Sequence, residues 1–91
     1  MIDRPTIAKI MDVTKIEEVV SEFVTLKKRG INYVGLCPFH NDSNPSFSVS
    51  PTRGICHCFT CGKGGNAINF LMELEQMTYP DALRWLAKKY K

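Results

Sequence analysis

The spacing of hydrophobic positions along the chain changes twice. At the start, Ile7, Ile10 and Met11 recur at helical spacing behind Pro5, a residue suited to the first position of a helix. Thr14-Lys15-Ile16-Glu17 follows as a capping box, with Thr14 capping and Glu17 reaching back. It opens a second helix whose core stripe is Ile16, Val19, Val20 and Phe23. From Val24 the period drops to two. Val24, Leu26 and Lys28 alternate with Thr25, Lys27 and Arg29, and Gly30 turns the chain into Asn32-Tyr33-Val34-Gly35-Leu36, which predicts a hairpin. Asn41 to Pro45 is a loop by composition. Ser46 to Ser50 alternates strictly, with Phe47 and Val49 on one face and three serines on the other. Pro51-Thr52-Arg53-Gly54 is a turn, and Ile55 to Cys58 returns as a strand.

Gly64-Gly65 ends the sheet, and the helical period resumes. Asn66 caps a helix with Ala67, Phe70, Leu71 and Leu74 on one face. Thr78 caps another, with Pro80 and Asp81 in its first turn and Leu83, Leu86, Ala87 and Tyr90 as its buried stripe; Trp85 stands at the core edge. The expected fold class is α+β. A small antiparallel sheet of about four strands, resembling a zinc ribbon, is flanked by N- and C-terminal helices. We expect one domain over residues 1–91, with a helical lead-in at 1–23, the ribbon at 24–62 and closing helices at 66–90.

The two ends of the ribbon carry the chemistry. Cys37-Pro38-Phe39-His40 and Cys58-Phe59-Thr60-Cys61 each hold two metal-ligand side chains with two residues between them, and 17 residues separate the pairs. One turn of backbone aims both members of such a pair at one point, so two turns face to face make a closed tetrahedral site for one structural Zn2+. Gly62, directly after Cys61, permits the positive φ that turns backbone N–H groups toward a sulfur. Cys56 and His57 compete for places in the tetrahedron. Neither has knuckle spacing, and on a straight strand His57 points away from Cys58, so the predicted ligands are Cys37, His40, Cys58 and Cys61. Cys56 is then a small buried hydrophobe and His57 a surface residue.

Two rival readings of the four cysteines are weaker. Two disulfides need an oxidising compartment, and the N-terminus has no apolar stretch of signal-peptide length. A dithiol redox pair at Cys58 and Cys61 leaves Cys37 and His40 unexplained. No run is long and apolar enough for a transmembrane helix, so a cytoplasmic location without membrane contact is expected. The net charge of +3 does not by itself point to nucleic acid. The distribution of cations is more informative, with Lys27-Lys28-Arg29 in one tight run and Arg53 and Lys63 flanking the second knuckle.

Taken in order, Gly35 to Asn41, Asn44 to Val49, His57 to Gly62 and Gly65 to Leu71 closely resemble the N-terminal zinc-binding domain of bacterial DnaG-type DNA primases. The resemblance runs through nearly the whole chain. It implies zinc at Cys37, His40, Cys58 and Cys61, contact with single-stranded template DNA, and help in selecting the start site for RNA primers. It also implies partners: a primase catalytic domain, in cis or in trans, and indirectly the replicative helicase. Family members carry a separate catalytic domain and a helicase-binding region after the zinc module. The acidic residues here are scattered, with no pair set to hold magnesium, so the chain is not expected to be an enzyme on its own.

For the DNA face, the candidate phosphate contacts are Lys27, Arg29, Arg53 and Lys63. Tyr33 is the first candidate for base stacking, because its polar end tolerates water; Phe47 or Phe59 comes next, although both are expected mainly as core. The alternatives are a stand-alone zinc ribbon from a mobile element and a protein-docking ribbon that never meets DNA.

Overall fold

In the computed structural model, which describes residues 3–39 and 45–90, two helices lead into an antiparallel sheet and two more close it. The helices are α1 (Arg4–Val13), α2 (Ile16–Val20), α3 (Ala67–Leu74) and α4 (Tyr79–Tyr90). The strands are β1 (Lys27–Arg29), β2 (Asn32–Gly35), β3 (Phe47–Ser50), β4 (Ile55–Cys58) and β5 (Gly64–Gly65), lying side by side in chain order. This is the expected α+β arrangement with one strand more. Gly64 and Gly65, read from the sequence as the end of the sheet, pair with β4. The cause is close approach: a Cβ on Gly64 would stand 2.2 Å from the Cys56 carbonyl oxygen, so only glycine lets the chain return there. The expected loop from Asn41 to Pro45 falls, apart from Pro45, outside the described residues.

Three helix starts are capped by side chains. Asp3 accepts from the Thr6 N–H at 2.9 Å to start α1, where Pro5 sits in the first turn. Asn66 and Asn69 bond reciprocally at the start of α3, and Thr78 Oγ1 accepts from the Asp81 N–H at 3.3 Å in α4. The capping box at Thr14 is corrected. α1 runs on to Val13, and the Thr14 hydroxyl donates back to the Ile10 carbonyl at 2.6 Å, so it does not cap α2. Lys15 stands before α2 without a side-chain cap, and its N–H donates to the Tyr90 hydroxyl at 3.2 Å.

Cross-strand register sorts the sheet into two faces. Phe47 and Val49 pair with Cys58 and Cys56, and all four are at most 1 % exposed. They pack with Val19 and Val20 of α2, Phe70 and Leu71 of α3, and Leu83 and Leu86 of α4. Phe23 joins Phe70 at 5.8 Å and Trp85 at 5.9 Å between ring centroids, which ties α4 into the core. Tyr33 pairs with Val49 and so belongs to this inner face, packed against the core. The outer face carries Lys27, Arg29, Asn32, Val34, Ser48, Ser50, Ile55 and His57.

Candidate metal centre and nucleic-acid face

The two knuckles sit at the same end of the sheet because β2 runs into Cys37 and β4 ends at Cys58. The Phe39 ring anchors the first knuckle, 6.0 Å from Phe47 and 5.8 Å from Phe70. In the second, the Gly62 N–H donates to the Cys58 carbonyl at 2.9 Å and Gly62 takes φ +78°. That turn directs the Cys61 N–H to Cys58 Sγ at 3.4 Å, the backbone-to-sulfur arrangement expected after the knuckle. Ser46 Oγ lies 3.7 Å from the same sulfur.

The sulfurs of Cys37, Cys58 and Cys61 all lie within 4.8 Å of one another, and no disulfide joins them. Cys37 Sγ and Cys61 Sγ are 3.7 Å apart. Zinc–sulfur bonds of about 2.3 Å in a tetrahedron set sulfurs about 3.8 Å apart, so the donor set fits that ion. Electrostatics agrees. Burial first, and then the neighbouring sulfurs of Cys58 and Cys61, push the Cys37 thiol up to about 12. Three thiolates cannot coexist so close without a cation, and a divalent ion removes that penalty by replacing the protons. His40, the fourth predicted ligand, lies outside the described residues. Cys56 is 1 % exposed in the core, is not among the three clustered sulfurs, and is pushed up to about 11 by burial. His57 projects from the opposite face.

The candidate DNA contacts divide between the faces. Lys27 and Arg29 stand on the outer face, opposite Val34 and Asn32, and are exposed. Arg53, in the turn between β3 and β4, borders a groove of about 710 Å³ on that face. Lys63 is directed elsewhere: its Nζ is 3.6 Å from Glu73 Oε2 and 5.6 Å from the centre of the Phe39 ring. Tyr33 belongs to the inner face, away from Lys27 and Arg29. Phe47 is fully buried, as expected. Phe59 is not core: it is 75 % exposed.

Two features of this region escaped the sequence reading. Every described acidic residue, from Asp3 to Asp81, lies in a helix, at a helix end or in the turn after α2, so the strands carry cations and no anion. The segregation could have been found by mapping charges onto the predicted elements. The second is the pairing of His57 and Phe59, whose rings meet edge to face with centroids 5.2 Å apart. Among the described residues, no helix is long and apolar enough to cross a membrane.

The family model described as the CHC2 zinc finger, the zinc ribbon of DnaG, matches residues 2–91. The chain is 51 % identical over 86 residues to a DNA primase of Synechococcus elongatus, covering 94 % of this chain and 12 % of that protein. It is 50 % identical over 88 residues to a DNA primase of Halalkalibacterium halodurans, covering 97 % of this chain and 15 % of the relative. Among solved structures it is similar to part of the Aquifex aeolicus primase, in a crystal structure that holds that protein's zinc-binding and RNA polymerase domains, with a TM-score of 0.87 and 45 % identity. That match covers 93 % of this chain and 21 % of the other.

Proposed function

Because the chain belongs to the CHC2 zinc-finger family of DnaG-type primases, we propose that it is a zinc-dependent module that holds single-stranded template DNA for RNA primer synthesis in DNA replication. The observation that carries this reading is the charge segregation: Lys27, Arg29 and Arg53 share the outer side of a sheet that has no acidic side chain among its described strands. Cations set along a sheet face neutralise successive phosphates, and serines such as Ser48 and Ser50 add hydrogen bonds to the backbone. One structural Zn2+ is held by Cys37, His40, Cys58 and Cys61, and it fixes the end of the sheet from which that face extends.

The module has no catalytic role of its own. It presents template to a primase catalytic domain, in cis or in trans, within the bacterial cytoplasm, and meets the replicative helicase indirectly through that assembly. The chain spans only 12 % and 15 % of the two relatives compared above.

The test is fluorescence anisotropy with a labelled single-stranded oligodeoxynucleotide over a series of salt concentrations. Three phosphate contacts give a slope of log affinity against log salt of roughly −2, at about 0.7 per contact for single strands. Absence of binding at low salt overturns this reading in favour of a protein-docking ribbon.

A further inference from the structure

We infer that Phe59 is the base-stacking residue of the outer face, forming with His57 and Arg53 a site for one nucleobase and its phosphate. This rests on the single-strand reading above and replaces Tyr33, which the register commits to the inner face.

Of the five phenylalanines, Phe23, Phe39, Phe47 and Phe70 form one cluster of ring contacts. Phe59 alone stands outside it, 75 % exposed. The ring lines one groove with the exposed Ile31, so the two make an exposed apolar patch. It is not a loose side chain on a loose loop. The Phe59 N–H donates to the Ser46 carbonyl at 3.0 Å, and the flanking Cys58 and Cys61 both belong to the sulfur cluster. The His57 ring, edge to face at 5.2 Å and 72°, supports it from the neighbouring outer-face position on the strand. A platform held this way loses little freedom when a base settles on it.

The space beside the ring fits such a ligand. The groove of about 710 Å³ is lined by Phe59, His57, Ile31, Arg53, Ser48 and Asn32, among others, and by no acidic side chain among the described residues. Its volume lies within the range usual for sites that hold one small organic group. Arg53 supplies the positive charge for a phosphate, and Ile31, 74 % exposed, gives a second apolar wall. Asn32, opposite Arg29 in the strand register, adds a polar side chain to the lining. Stacking tolerates any base, so Phe59 contributes affinity more than sequence choice.

The experiment titrates the 91-residue chain into a single-stranded oligodeoxynucleotide carrying one 2-aminopurine, alongside Phe59→Ala, Phe59→Leu and Phe59→Tyr. The wild-type chain should quench the probe. The Ala and Leu variants should bind about 5- to 150-fold more weakly, with quenching lost, while salt slope and zinc content are unchanged. Phe59→Tyr should restore both affinity and quenching. Wild-type affinity in Phe59→Ala, with the salt slope intact, overturns the stacking inference and leaves the single-strand reading standing. Full affinity in Phe59→Leu also overturns it, because an apolar contact without a π-face would then suffice. If the wild-type chain binds no oligonucleotide at low salt, both readings fall.

Discussion

Cys37 and Cys61, separated by 24 positions in the chain, bring their sulfurs to 3.7 Å, the edge length of a zinc–thiolate tetrahedron. The antiparallel order of β2, β3 and β4 creates that meeting, since it returns the second knuckle to the end where the first begins. The ligand set can be separated from its neighbour by substitution. Serine at Cys37, Cys58 or Cys61, or alanine at His40, should abolish zinc binding or weaken it severely. Cys56→Ala should keep one zinc per chain, because Cys56 faces the core outside the sulfur cluster. Native mass spectrometry of reduced protein reads the ratio directly, and loss of zinc in Cys56→Ala would refute the assignment.

Gly64→Ala should detach β5. The new Cβ meets a carbonyl oxygen at 2.2 Å, and backbone cannot move aside as a flexible side chain can. The expected cost is about 1–3 kcal/mol, the usual size of overpacking, seen as a lower urea midpoint. Gly30→Ala is the comparison. It has strain at φ +66° but nothing within 4 Å among the described residues, and should cost less.

Tyr90 joins α4 to the start of α2, accepting from the Lys15 N–H and donating to Glu18 Oε1 at 2.7 Å. Burial is the first cause that pushes its phenol up from the ordinary value of 10.0 to about 12. The folded state thus favours the neutral form. Its stabilisation is whole below pH 10 and is lost as pH rises toward 12. Thermal melts of wild type and Tyr90→Phe should therefore converge across that window, with the variant lower by about 1 kcal/mol at neutral pH for the lost hydrogen bonds. A constant gap between the two curves from pH 8 to 12 would rule this out.

Charge removal should separate the outer face from the helices. Lys27→Ala and Arg53→Ala should each reduce the salt slope of DNA binding by about 0.7 and leave zinc content unchanged. Lys89→Ala should do little, because Lys89 pairs with Glu22 across the helical side of the molecule. The reverse pattern would move the DNA path to α4.

Incubated with template, ribonucleotides and magnesium, the chain should make no primers. Among the described residues, the one cluster of metal-capable side chains is three sulfurs, and magnesium in nucleotidyl transfer needs oxygen ligands. Template-dependent product from a homogeneous sample would overturn this.

Local patterns in the sequence carried the reading furthest where local physics decides. The serine alternation of β3 and the Asn66 and Thr78 caps depend on neighbours within a few residues, and the structure repeats them. Thr14 had two helices to serve, and only the length of α1 determines which one takes its hydroxyl. The donor left at Lys15 is satisfied from Tyr90, 75 positions away, which no local pattern indicates. Gly64-Gly65 has the composition of a break and becomes a strand because of how closely it approaches Cys56. Hydrophobicity alone consigns Phe59 to the core, yet the knuckle geometry turns it outward.

Among the described residues, the outer edge of β1 pairs with no other strand. An edge strand offers unpaired backbone groups to any other strand, including that of an identical molecule. Here the edge is Lys27-Lys28-Arg29, three cations in succession, all exposed. Two such edges repel each other before their backbones can pair. The same charges therefore oppose pairing of two copies through this edge, and a polyanion that neutralises them weakens that repulsion.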